Sequence, residues 1–76
     1  MSWVPVNINH VAWTESGQRT TYAGRGFALQ HIETGDYLSK DGVRPSVWRT
    51  RSIAWEIATF ADDLIRHDSY TVVHSA

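Results

Sequence analysis

Four histidines, two adjacent aspartates, a Gly-Arg-Gly step and an arginine-rich segment around one tryptophan are the parts of this chain with chemical potential. His10, His31, His67 and His74 form no His-x-x-x-His or His-Glu-x-x-His pair, and the chain has no cysteine. Without either, zinc-type ligand spacing is lacking, so structural histidines are expected and no metal site. Asp62 and Asp63 are neighbours, which on a helix point about 100° apart and do not face each other as an acid and base would. A solvated helix face is the better reading. Gly24-Arg25-Gly26 lacks the Gly-Lys-Ser/Thr that carries a phosphate loop into a helix, and the residues after it read as a strand. It is expected to be a plain loop or bulge. No Gly-x-Ser-x-Gly elbow occurs, and 76 residues leave little room to exclude water from a reaction centre. The chemistry expected is therefore noncatalytic and free of cofactors.

Trp48 with Arg44, Arg49 and Arg51 is the remaining constellation. Arginines hold phosphates and tryptophan stacks on bases, as in single-strand binders, so a small nucleic-acid-binding accessory protein is the alternative function. The structural reading is that Trp48 packs under a helix while the arginines stay in water. Net charge decides between them: it is −1 overall, +3 over residues 19–51 and −3 over residues 52–76. That balance makes the molecule dipolar and argues against direct nucleic-acid binding, which usually goes with a strongly basic chain. Tryptophan and arginine also dominate protein interfaces. The expected partner-binding residues are accordingly Trp48, Arg49, Arg51 and Trp55, with Glu56, Asp62 and Asp63 of an acidic helix face. Trp55 alternatively covers a sheet edge or packs in a homodimer.

These residues must be positioned by a single compact domain over 1–76, which at this length buries only about 60% of its unfolded surface. Nine aromatics, four of them tryptophan, are enough for a thin core. From Trp3 to Trp13, Val4, Val6 and Ile8 alternate with Pro5, Asn7 and Asn9, predicting a half-buried strand that starts at Pro5 or lies at an edge. Residues 14–18 form a turn and 19–23 a short second strand. "GFALQHIETGDYLSKDG", residues 26–42, reads as a hairpin with Glu33-Thr34-Gly35 as a three-residue loop, Gly35 left-handed. Pro45 ends regular pairing, and residues 43–51 are expected to be a loop with a turn of helix.

Ser52 is a candidate N-cap for an amphipathic helix over about 52–66. Ile53, Ile57, Phe60 and Leu64, with Ala54, Ala61 and Ile65, would face the sheet, and Phe60→Ala is expected to cost about 3–5 kcal/mol. A break near Ala58 is the alternative. "SYTVVHSA" supplies a final strand. The fold class expected is α+β: an antiparallel sheet of three to five strands with one helix on one face and the last strand after the helix. Absent cysteine, basic leader and long apolar run, the chain is expected to be a cytoplasmic protein without membrane contact.

Through "GFALQHIETGDYLSKDG", Trp48, "AWEIATFADDLI" and "SYTVV", residues 26 to 74 resemble small strand-hairpin-helix-strand proteins encoded by phages and mobile elements, some anti-CRISPR proteins among them. That resemblance implies a protein in the bacterial host's cytoplasm that binds and inhibits a host complex, most specifically a CRISPR-Cas effector. Its near-neutral charge departs from the strongly acidic members that mimic duplex DNA, which favours steric blocking of a protein surface.

Overall fold

The computed structural model describes residues 2–76. Its elements run β1 (Trp3–Asn7), β2 (Ala12–Glu15), β3 (Gln18–Thr21), β4 (Phe27–His31), β5 (Tyr37–Ser39), α1 (Arg51–Arg66) and β6 (Thr71–Val73). The expected α+β class holds: a four-stranded antiparallel sheet in the order β1-β4-β5-β6, a separate β2–β3 pair, and one helix before the last strand. The strand expected across 3–13 is broken. Asn7 accepts a hydrogen bond from the Asn9 N–H through its side chain, and Ile8–His10 close a 3-10 turn that redirects the chain into β2. A short polar side chain that bonds the backbone two residues on competes with the ladder in this way.

The main sheet is covered on both faces. On one side Trp3, Leu29 and Leu38 pack with Ala54, Ala58 and Ala61 of α1. On the other, Ala28, Tyr37 and Val73 pack with Ile8, Val11 and Trp13, which arrive on the 3-10 turn and the β2–β3 pair. Alternation along β4 and β5 thus serves two cores rather than one core and water. It also corrects the faces of β1: Trp3 and Pro5 are buried, whereas Val4 and Val6 are only half-buried. The indole Nε1–H of Trp13 is buried with no hydrogen-bond partner, a cost set against the volume this ring fills.

Pro5 lies on an edge strand, as its ring requires. Ile32 N–H donates to Ser2 O and Ile8 N–H to Gly26 O, so within the register Trp3↔His31 to Asn7↔Phe27 the even-numbered residues of β1 bond β4. Trp3, Pro5 and Asn7 therefore direct their backbone groups outward, and the missing N–H of Pro5 costs the ladder nothing.

The β4–β5 hairpin loop begins one residue earlier than expected: His31 N–H donates to Asp36 O at 2.7 Å, leaving a four-residue loop over 32–35. Gly35 takes the left-handed conformation expected of it, with φ 79°. The helix starts at Arg51, capped by Thr50 and not Ser52, since the Thr50 hydroxyl accepts the Ile53 N–H at 3.2 Å. It runs unbroken through Ala58 to Arg66.

Candidate functional site

The residues expected to form one contact surface divide among three places. Trp48 is half-buried beneath the helix, 6.3 Å from the Tyr70 ring, and belongs to the packing. Its backbone exchanges two 2.8 Å hydrogen bonds with Phe27, so residues 43–50 contain a single β-bridge and no helical turn before α1 starts at Arg51. Arg51 stacks its guanidinium 4.8 Å above the Phe27 ring. Arg49 is exposed. Arg44 is tied instead to the β2–β3 pair, donating to both Glu15 oxygens at 2.9 and 3.2 Å, which raises its pKa.

On α1 the sheet-facing arc is alanine. Ala54, Ala58 and Ala61 are buried, and their small side chains let the helix lie close on Leu29 and Leu38. Ile57, Leu64 and Ile65 are half-buried at the margin. Phe60 is 59% exposed and Ile53 43% exposed, so the expected placement of these two in the core is corrected. Spacings of four, three and four put Ile53, Ile57, Phe60 and Leu64 on one stripe along the side of the helix. Exposed Glu56 and Asp63 border that stripe, Asp63 in a 3.1 Å pair with Arg66. Asp62 occupies the other flank and accepts the Trp3 indole N–H at 3.0 Å, fastening α1 to β1. Trp55, seven residues before it and 38% exposed, shares that flank away from Ile57, as the helical angles required.

Several other titratable groups have structural work. Val43 N–H and Arg44 N–H donate to the Asp41 carboxylate at 2.8 and 3.1 Å and hold its pKa below the usual range. His74 Nδ1 lies 2.7 Å from Asp36 Oδ1, and this hydrogen bond is the main cause of the lowered Asp36 pKa. Tyr22 donates its hydroxyl to Pro45 O, and burial raises its pKa. His31 Nδ1 accepts the Glu33 and Thr34 N–H groups in the hairpin loop while its ring meets Trp3 edge-on at 5.0 Å. Among the described residues no three His, Asp or Glu side chains converge as a metal cage.

Two features escaped the sequence reading: the outward-facing Ile53 and Phe60, and the close approach of the Gly26 backbone to Val47 and Trp48. Ala54, Ala58 and Ala61 at helical spacing were the signal for the first, because a helix that approaches a sheet closely does so on its smallest residues. Gly26 was the signal for the second. A Cβ there would lie 2.6 Å from Val47 Cγ1 and 3.0 Å from Trp48 O, so the loop reaches this segment only with glycine. Comparison of the chain with protein-family models, curated proteins and solved structures gave no match.

Proposed function

We propose that the chain is a noncatalytic protein that docks through the outward flank of α1 on a protein complex of a bacterial host and blocks it. In its most specific form it is an anti-CRISPR protein acting on a CRISPR-Cas effector. One observation supports the docking surface: α1 turns alanine inward and leaves Ile53 and Phe60 in water. Packing the sheet does not require large apolar residues there, and contiguous apolar side chains on a surface are characteristic of contact sites. Glu56 and Asp63 beside them suit an apolar groove with a basic rim. The likeness of residues 26 to 74 to small phage proteins supports the inhibitory direction, although fold alone does not fix function.

The test is capture from nuclease-treated bacterial lysate on the immobilised full chain, beside the double variant Ile53→Glu, Phe60→Glu, with circular dichroism checking that the variant is folded. A stoichiometric complex held at physiological salt by the wild type and lost by the variant is the expected result. Protection of a plasmid from CRISPR interference, abolished by the same variant, would assign the specific form. Equal capture by both proteins would refute docking through this face.

A further inference from the structure

The loop after β5 contains the chain's one Asp-Gly step, Asp41-Gly42. Such a step is open to an intramolecular reaction, because glycine has no side chain to shield its amide nitrogen from the neighbouring carboxyl carbon. Gly42 N bonds to Asp41 Cγ, the amide proton passes to solvent, and the carboxyl hydroxyl leaves as water. A second water then opens the succinimide ring at the former main-chain carbonyl. The backbone afterwards runs through the Asp41 side chain and is one methylene longer. Both residues are exposed, so water reaches them freely.

The fold withholds both reacting groups. Gly42 N–H donates to Ser39 Oγ at 2.9 Å, and the attack requires that proton to be lost. Val43 N–H and Arg44 N–H donate to Asp41 Oδ1 at 2.8 and 3.1 Å, which favours the ionised carboxylate, a poor electrophile, and fixes it on residues 43 and 44. Ser39 is fully buried and its hydroxyl donates to Arg44 O at 2.6 Å, so the group that accepts the Gly42 proton is itself held in place.

We propose that Asp41-Gly42 is a latent isoaspartate site, which the Ser39 clasp keeps shut in the folded chain and which reacts when the loop opens. Conversion there reaches beyond one turn. Arg44, tied to Glu15 at 2.9 Å, and Pro45, whose carbonyl accepts the Tyr22 hydroxyl, come next in the chain and fasten this loop to the β2–β3 pair. A methylene inserted at position 41 displaces both. The site lies outside α1 and does not depend on the docking reading.

The test is incubation of the purified full chain in mildly acidic buffer, with and without denaturing urea. Isoaspartate is then labelled by an isoaspartyl methyltransferase and located by peptide mass spectrometry. Residue 41 is expected to convert in urea and to convert about tenfold or more slowly in the folded chain, which reacts only through local opening. Ser39→Ala, checked as folded by circular dichroism, should convert about fivefold or more faster than the folded wild type, because the Gly42 N–H has lost its acceptor. Equal rates in the folded and urea-treated wild type would overturn the proposal, as would a folded Ser39→Ala protein that converts at the wild-type rate or a label centred on another aspartate. Should Ser39→Ala not fold, hydrogen exchange of the wild-type Gly42 amide decides: protection upholds the clasp, and exchange at the unfolded rate overturns it.

Discussion

The two sides of α1 follow opposite rules. Its inner side carries Ala54, Ala58 and Ala61, residues that contribute little apolar area each, yet they are the buried ones. Its outer flank carries Ile53 and Phe60, two of the helix's bulky side chains, 43% and 59% exposed. The difference teaches that hydrophobicity placed the helix on the sheet only through the partners beneath it. Leu29, Leu38 and Trp3 supply the volume, and the alanines supply the proximity.

The largest expected effect lies under the inner side. Leu29→Ala removes a fully buried side chain between the alanine arc and the sheet and should cost about 2–5 kcal/mol, read as a lower urea midpoint. An unchanged midpoint would break the assignment of volume to the sheet. Ala61→Leu forces extra methylenes into the same contact and should cost about 1–3 kcal/mol by the same measurement; a stabilised protein would mean that the helix rides higher than described.

Acid acts away from both helix faces. Asp36 and Asp41 have folded-state pKa values below their unfolded ones, so their contribution is complete above the unfolded value and is lost as pH falls through the folded value. Stability should decline below about pH 4, and Asp36→Asn with Asp41→Asn should lessen that decline. An unaltered acid profile in the double variant would remove these two carboxylates from the account. The smallest effect belongs to the outer flank, where Phe60→Ala should change stability by no more than about 0.5 kcal/mol in a urea titration. A loss of several kcal/mol there would abolish the contrast between the two sides.

Much of the scaffold was legible because its causes are local. Phe27 to Ser39 alternate and enclose a glycine that can turn left-handed, and α1 recurs at helical spacing between a hydroxyl cap and a basic last turn. What was not legible depends on volume and on distant partners. Periodicity gives an apolar arc but not which part of it meets the sheet, so Phe60 was assigned inward where Ala58 and Ala61 are. The second covered face rests on Asn7 bending the chain after β1, a side-chain-to-backbone bond that competes with alternation and outweighs it. Of the candidate contact residues, Trp55 and Glu56 sit on the exposed helix as the angles required. Asp62 was legible as polar, but its bond to Trp3 spans 59 positions and has no local signature.

Pro5 bears on how copies of this protein behave in a crowd. A sheet edge bordered by apolar residues invites another edge to add on, and chains that stack in this way leave solution as fibrils. With a ring where the middle donor of β1 would stand, an approaching strand meets a gap in every attempt to pair. The molecule can thus present bulky apolar side chains on its helix at high concentration while the β1 edge of its sheet resists pairing with its own kind.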